Sequence, residues 1–168
     1  MTSAYISMGS NLGDRQANIL TATRLLSDNA KIIIISSIYE TEPEGYKKQP
    51  DFLNCVVNVE VEIDAPTLLT RLKNIEERMG REQSFKNAAR IIDLDLLFFN
   101  QDIIREPDLE VPHPRLPERS FVLVPMVEIA AGFTHPALHK TMAQLLNGLK
   151  SGSRVKLWGV KQAGSTGS

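Results

Sequence analysis

Two aspartates interrupt an apolar run near the middle of the chain, in residues 90–99. If this run is a strand, its period of two residues places Asp93 and Asp95 on one face and Ile92, Leu94 and Leu96 on the other. Neighbouring carboxylates repel each other, so the pair requires divalent cations or arginines beside it. Carboxylate oxygens favour magnesium or calcium over zinc. The run therefore predicts a cation site, with a solvated acidic edge strand as the structural alternative.

A second polar cluster lies at residues 112–121, where three prolines frame a histidine and two arginines. Proline restricts the backbone, so His113, Arg115 and Arg119 are held in a fixed arrangement. Cations combined with arginines and a histidine are typical of a site that binds a polyphosphate. Further cationic side chains fall just ahead of the aspartates: Arg71, Lys73, Arg78, Arg81, Lys86 and Arg90. This local concentration of positive charge predicts an anionic ligand.

The composition is that of an ordinary globular protein. A chain of 168 residues with 42% hydrophobic and 23% charged residues suits one domain with its own core. The net charge of -1 argues against a nucleic-acid binder that works through a general basic field. We found no signal-peptide pattern or membrane-spanning run, and the single cysteine, Cys55, fits a reducing compartment. We therefore expect a cytoplasmic domain over residues 1–160 and a flexible tail over 161–168.

The apolar patterns predict an α+β fold of the ferredoxin-like type, a βαββαβ sandwich with an antiparallel sheet and both helices on one side. Its elements are a strand at 4–8, a helix capped by Asp14, a buried strand at 31–39, an alternating strand at 53–63, a helix from Asp64 to Gly80, and the aspartate strand. Polar loops at 40–52 and 81–89 separate them. The predicted C-terminal additions are a helix near 121–131 interrupted by Pro125, a helix near 141–150, and a late strand near 154–160.

Four stretches together resemble the 6-hydroxymethyl-7,8-dihydropterin pyrophosphokinases of folate biosynthesis. They are Tyr-Ile-Ser-Met-Gly-Ser-Asn-Leu-Gly-Asp-Arg at 5–15, Gln-Pro-Asp-Phe-Leu-Asn at 49–54, Arg-Ile-Ile-Asp-Leu-Asp at 90–95, and Pro-His-Pro-Arg-Leu-Pro-Glu-Arg-Ser-Phe at 112–121. The resemblance implies transfer of pyrophosphate from ATP to the hydroxymethyl group of the pterin, which gives the pterin diphosphate and AMP. It also implies two magnesium ions at Asp93 and Asp95. We expect a monomer with these small-molecule substrates and with no nucleic-acid or membrane partner.

The resemblance also implies a role for each candidate residue. The catalytic residues would be Arg81, Arg90, Asp93 and Asp95. The residues that bind ATP would be Lys73, Glu76, Arg81, Arg90, His113, Arg115 and Arg119. A flat pterin needs an aromatic ring on each face and an amide at its edge. The residues that bind the pterin would be Thr41, Pro43, Glu44, Phe52, Asn54 and Phe121.

Two positions depart from the family pattern. Many members carry Trp-Gly-Pro or a similar aromatic stretch where this chain has Asn87, Ala88 and Ala89, so we expect closure of that loop to use Phe85 or to be weaker. Glu44 replaces a residue that is commonly apolar. We expect ATP to bind first and to order the loops at 40–52 and 81–89.

Two other functions stay open on the residues alone. A hydrolase would keep the cation site and use water as the attacking group, with His135 and His139 as additional ligands, although Pro136 between them argues against a continuous helix. A ferredoxin-like module that binds RNA, or a small regulator, would use the same fold without catalysis. However, the sheet-face aromatics and the basic balance of an RNA reader are missing.

Overall fold

The protein is built around an antiparallel sheet, seen here in a computed structural model that describes residues 1–80, 89–150, 152 and 154–159. Its elements in chain order are β1 (Thr2–Ser10), α1 (Arg15–Ser27), β2 (Lys31–Ile35), β3 (Ile38–Thr41), β4 (Phe52–Val61), α2 (Ala65–Arg78), β5 (Asp93–Phe99), β6 (Ile104–Glu106), β7 (Leu109–Val111), a 3-10 helix (Leu116–Glu118), α3 (Ser120–Ala130), α4 (Met142–Asn147) and β8 (Val155–Gly159). In the described part of the chain, no helix is long and apolar enough to cross a membrane.

The sheet has the strand order β5-β1-β4-β3-β8, with β2 paired beside β4. The inner strand β1 pairs antiparallel with both β4 and β5. This arrangement confirms the predicted βαββαβ order and the ferredoxin-like α+β fold. β6 and β7 form a separate hairpin that the sequence patterns did not predict.

Helices cover both faces of the sheet. On one face, α1 and α2 contribute the buried side chains of Leu26 and Leu72 to a core with Val57. On the other face, α3 contributes Met126 to a second core with Phe98. Because β4 is covered on both sides, its apolar residues are buried in nearly continuous succession rather than in alternation.

The helix starts agree with the sequence signals. The Asp14 carboxylate accepts a hydrogen bond from Ala17 N at 3.1 Å, and the Asp64 carboxylate accepts one from Thr67 N at 3.0 Å. Both are N-caps that satisfy main-chain donors in the first turn. Beyond α2, Gly80 adopts a φ of 88°, a conformation that glycine reaches without steric cost.

The prediction of one buried strand at 31–39 was wrong. The segment forms two strands, β2 and β3, and Ile33 of β2 is exposed. The buried Ser36 lies between them, and its hydroxyl accepts a hydrogen bond from Val56 N at 2.9 Å. The Glu128 carboxylate of α3 accepts hydrogen bonds from Ser37 N and Ser37 Oγ at 2.9 and 2.8 Å. These side-chain contacts replace regular strand pairing at the break.

The prediction that Pro125 interrupts its helix was also wrong, since α3 runs without a break from Ser120 to Ala130. Proline removes one main-chain hydrogen bond, here the bond to Phe121 O in the first turn. Pro125 is buried together with Val122 and Leu123 on the face of α3 that packs on the sheet. Burial of this apolar face offsets the missing hydrogen bond.

Candidate active site

The two aspartates lie on the same face of the edge strand β5. Asp93 and Asp95 have side chains that are 36% and 33% exposed, and they alternate with the buried Leu94 and Leu96. The period of two predicted for this strand is therefore confirmed.

A row of residues across three strands forms the floor of a cavity. In the sheet register Gly9 of β1 lies opposite Asn54 of β4 on one side and opposite Asp93 of β5 on the other. Residues that face each other in this way share one face of the sheet. Two strand spacings separate Asn54 from Asp93 by about 10 Å, and the glycine leaves the space between them open.

Asn54 has little freedom in this row. Its amide Nδ2 donates to Thr41 Oγ1 at 2.7 Å. A Cβ atom at Gly9 would lie 2.5 Å from Asn54 Oδ1, which is closer than van der Waals contact allows. Gly9 is therefore a requirement for the position of the Asn54 side chain.

The first cavity, of about 90 Å³, lies above this row. Of the six residues predicted to bind a pterin, five line it: Thr41, Glu44, Phe52, Asn54 and Phe121. Pro43 is not among the lining residues; it is buried, and its carbonyl accepts a hydrogen bond from Lys47 Nζ at 2.6 Å. The cavity therefore combines two aromatic rings with a fixed amide and the two aspartates.

A second cavity, of about 370 Å³, lies over the outer edge of β5. It is bounded by α2, by the β6–β7 hairpin, and by His113. Three of the residues predicted to bind ATP line it: Lys73, Glu76 and His113. Asp93 and Asp95 line both cavities, so the two spaces meet at the carboxylate pair.

Glu76 also supports the aspartate strand. Its side chain is 5% exposed, and its Oε2 accepts a hydrogen bond from Leu94 N at 2.8 Å. Leu94 is the residue between the two aspartates. Glu76 thereby fixes the backbone from which both carboxylates project.

An arginine lies beside each aspartate. Arg90 Nη1 is 3.7 Å from Asp93 Oδ1, and Arg119 Nη1 is 3.9 Å from Asp95 Oδ2. The Arg119 guanidinium also lies over the ring of Phe121, 5.4 Å from its centroid. Both residues belong to the start of α3, Arg119 as the N-cap and Phe121 in the first turn. Arg90 and Arg119, which the resemblance assigns to ATP, thus provide positive charge beside the acidic pair.

Arg115 and Arg119 also contact Glu44, the residue that departs from the family pattern. Arg119 Nη2 donates to Glu44 Oε1 at 2.8 Å, and Arg119 Nε donates to Glu44 Oε2 at 3.3 Å. Arg115 Nη2 lies 3.1 Å from Glu44 Oε2. The polar loop after β3 is therefore joined to the segment that precedes α3.

His113 is held as a neutral ring. Its main-chain N donates to Leu97 O at 2.9 Å, and its Nδ1 accepts a hydrogen bond from Arg115 N at 3.1 Å. Burial lowers the pKa of His113 to about 4, and the positive charges of Arg119 and Arg115 act in the same direction, while Glu44 opposes them. Because Nδ1 is the acceptor, the proton of the neutral ring is on Nε2.

Sequence reasoning missed the role of Asn11, which is 1% exposed. Its Nδ2 donates to Gln49 Oε1 at 2.8 Å and to Pro50 O at 2.9 Å, and its Oδ1 accepts from Arg90 N at 2.8 Å. One side chain thus joins the loop before β4 to the arginine beside Asp93. An asparagine in a turn between two glycines, Gly9 and Gly13, was the available signal, and it does not reveal these distant partners.

Some predicted residues lie outside the described part of the chain: Arg81, Phe85, Asn87 and Ala88. His135, the additional ligand of the hydrolase alternative, is 5% exposed, and its Nδ1 accepts hydrogen bonds from Ala137 N and Leu138 N at 3.1 and 3.0 Å. That nitrogen stabilises a turn. Within the described ranges, no group of three or more histidine, cysteine, aspartate or glutamate side chains is arranged to hold a metal by itself.

The fold thus places two adjoining cavities at one carboxylate pair. Residues 5–131 match the family model of 7,8-dihydro-6-hydroxymethylpterin-pyrophosphokinase. The chain belongs to that family, as the four stretches predicted. ATP is the co-substrate of the pyrophosphokinase reaction.

Relatives of known name support the assignment. The chain is 43% identical over 128 residues to the 2-amino-4-hydroxy-6-hydroxymethyldihydropteridine pyrophosphokinase of Bacillus subtilis, a match that covers 75% of this chain and 77% of the relative. It is 36% identical over 144 residues to the enzyme of the same name from Aquifex aeolicus, with 86% and 90% covered. The predicted activity, an ATP-dependent pyrophosphokinase of folate biosynthesis, is confirmed at the level of the family.

Other relatives are much longer than this chain. The chain is 40% identical over 151 residues to the folic acid synthesis protein FOL1 of Dictyostelium discoideum, and the match covers 90% of the chain but 23% of that protein. A crystal structure of Plasmodium falciparum HPPK-DHPS superposes with a TM-score of 0.71 at 20% identity, and covers 87% of this chain and 45% of the other. This second likeness supports the fold.

Proposed function

We propose that this chain transfers a pyrophosphoryl group from ATP to the hydroxymethyl oxygen of 6-hydroxymethyl-7,8-dihydropterin, releasing AMP. The observation that carries the proposal is that two cavities of different character share Asp93 and Asp95. We further propose that residues 1–160 act as one monomeric domain, with no nucleic-acid or membrane partner.

The first cavity suits the pterin. Phe52 and Phe121 offer rings for the flat faces of the ligand, and the oriented amide of Asn54 suits its edge of donors and acceptors. The open floor at Gly9 leads from that amide to Asp93. A pterin bound in this direction would present its hydroxymethyl group to the carboxylate pair.

The second cavity suits the nucleotide, because it is larger and carries hydrogen-bonding groups close to the aspartates. His113 would donate from Nε2 as a neutral ring, and Lys73 would supply positive charge. Arg115, whose main-chain N donates to His113, would add positive charge from outside the lining of this cavity. Arg119 lies between Asp95 and Phe121, where it would contact the pyrophosphoryl group during transfer. The matching role for Arg81 rests on the sequence resemblance alone.

Asp93 and Asp95 would hold two magnesium ions. Partly exposed carboxylates on one strand face, at the junction of the two cavities, provide the oxygen ligands that magnesium prefers. Bound ions would neutralise the charge of the triphosphate and lower the pKa of the attacking hydroxyl. Arg90 and Glu76 would keep the two carboxylates in position through contacts on either side of the strand.

The proposal is tested by incubation with ATP, magnesium and the reduced pterin alcohol, followed by measurement of AMP. We expect AMP only when both substrates are present. The Asp95→Asn variant should lower turnover by about 10²–10³-fold, because charge stabilisation in the transition state depends on this carboxylate. Asp28→Asn, at the exposed end of α1, is the matched control and should leave turnover unchanged. Free phosphate released without pterin, or a fully active Asp95→Asn variant, would contradict the proposal.

A further inference from the structure

Glu44 occupies the guanidinium edge of Arg119 that is best suited to bind a phosphate. The contacts of 2.8 Å to Nη2 and 3.3 Å to Nε use two adjacent donors of the guanidinium, so the pair is bidentate. A phosphate binds arginine through the same pair of donors. Glu44 and a phosphate oxygen therefore compete for one position.

The same carboxylate also neutralises Arg115, 3.1 Å away. The Arg119 side chain is 15% exposed and that of Glu44 is 30% exposed, so solvent screens this pair less than it would an ion pair at the surface. Without Glu44, the guanidinium groups of Arg119 and Arg115 would lose the carboxylate that they share. Glu44 thus keeps the arginine pair ordered while no anionic ligand is bound.

Glu44 also belongs to the first cavity. It lines the same space as Phe52 and Asn54, on the loop that runs from β3 to β4. Any ligand that displaces its carboxylate from Arg119 therefore removes a contact that holds this loop beside the first cavity.

We propose that Glu44 is a positioning residue that stands in for a phosphate at Arg119 and Arg115, and that a polyphosphate ligand displaces it and frees the loop at residues 42–51. This change is the opposite of the ordering by ATP that the sequence predicts for the same loop, and hydrogen exchange distinguishes the two. The inference rests on the proposed function, in that the arginines are taken as phosphate ligands. It adds an internal competitor for the two arginines, and the carboxylate of this competitor also lines the first cavity. The binding of the anion and the position of the loop over the pterin cavity become parts of one equilibrium.

The test uses the full chain in magnesium, with inorganic tripolyphosphate as the probe and calorimetric titration as the readout. Glu44→Gln removes the competing charge and keeps the size of the side chain, so we expect it to bind tripolyphosphate about 3–10-fold more tightly than the unmodified chain. A purely structural role for Glu44 would instead lower the affinity.

Glu42→Gln is the matched control. Glu42 lies two residues away and lines the same cavity, and the described residues form no ion pair with it. The Glu42→Gln variant reports the effect of removing one negative charge near the site. We expect its affinity for tripolyphosphate to differ from that of the unmodified chain by less than about twofold, as for a screened surface charge. Equal gains in the two variants would overturn the inference, since the effect would then be one of general charge.

Hydrogen exchange gives a second readout. Tripolyphosphate should speed exchange of the amides at 42–51 in the unmodified chain, whereas Glu44→Gln should exchange quickly with or without the ligand. An unmodified chain that binds the probe while Glu44→Gln binds no more tightly would overturn the inference alone. An unmodified chain that does not bind the probe would overturn the nucleotide site of the proposed function and the inference with it.

Discussion

Replacement of Asn11 by leucine should weaken both the fold and the site, because one buried amide serves three partners. Leucine has nearly the same size but cannot donate to Gln49 Oε1 and Pro50 O or accept from Arg90 N. A buried polar group left without its partner costs about 1–3 kcal/mol. Pro50 is exposed and Arg90 is half-buried, so water replaces part of the loss. We expect the free energy of unfolding to fall by about 2–4 kcal/mol.

Two measurements test this expectation. In a chain of this size, each kcal/mol lowers Tm by about 2–4 °C, so the melting temperature should fall by roughly 5–15 °C. Arg90 lies 3.7 Å from Asp93, so its displacement should also lower kcat/KM by about 10–100-fold. The exposed Asn29, at the end of α1, gives the control Asn29→Leu, which should change stability by no more than about 0.5 kcal/mol.

An Asn11→Leu variant that melts within about 2 °C of the unmodified chain would contradict this expectation, since that shift corresponds to less than about 1 kcal/mol. Such a result would mean that the three partners find equivalent hydrogen bonds elsewhere. A large loss of stability with normal kcat/KM would instead mean that Asn11 stabilises the fold without positioning the site. That result would contradict the role assigned to its hydrogen bonds with Gln49, Pro50 and Arg90.

Two other measurements probe single positions in the site. Gly9→Ala would place a methyl group 2.5 Å from Asn54 Oδ1, so the amide must move. KM for the pterin should then rise about tenfold, which corresponds to the loss of one hydrogen bond, while KM for ATP should stay within about twofold. Equal effects on both substrates would contradict this assignment. Because the pKa of His113 is about 4 in the folded protein and about 6.5 in the unfolded chain, the unfolded chain takes up the proton first as the pH falls. The contribution of neutral His113 to the free energy of unfolding is therefore complete above about pH 6.5. It should be lost as the pH falls towards 4, which lowers the free energy of unfolding by about 1–2 kcal/mol after allowance for the partial exposure of the ring. Urea unfolding of His113→Gln should lack this part of the pH dependence, and an unchanged profile would refute it.

Short sequence patterns correctly predicted the features that depend on residues close together in the sequence. The alternation of Asp93 and Asp95 with apolar residues, and the caps at Asp14 and Asp64, depend on neighbours within a few positions. The order of the elements followed from the same patterns. These signals were sufficient for the ferredoxin-like fold and for the acidic pair.

The features that the sequence did not predict depend on distant partners. The break between β2 and β3 is fixed by Glu128, which is 91 positions from Ser37. The tolerance of α3 for Pro125 comes from packing on the sheet rather than from helix propensity. The contacts of Glu44 with Arg119 span 75 positions, so the sequence identified Glu44 only as a departure from a pattern.

The missing side chain at Gly9 has an evolutionary consequence. Because Gly9 and Asn54 face each other across the β1–β4 ladder, any lineage that keeps the amide at 54 is confined to glycine at 9, whereas loss of the amide releases that restriction. Substitutions at positions 9 and 54 should therefore occur together in evolution. Resistance to a compound that fills the gap above Gly9 should therefore arise rarely, since a substitution at position 9 that weakens binding of the inhibitor would also damage the enzyme.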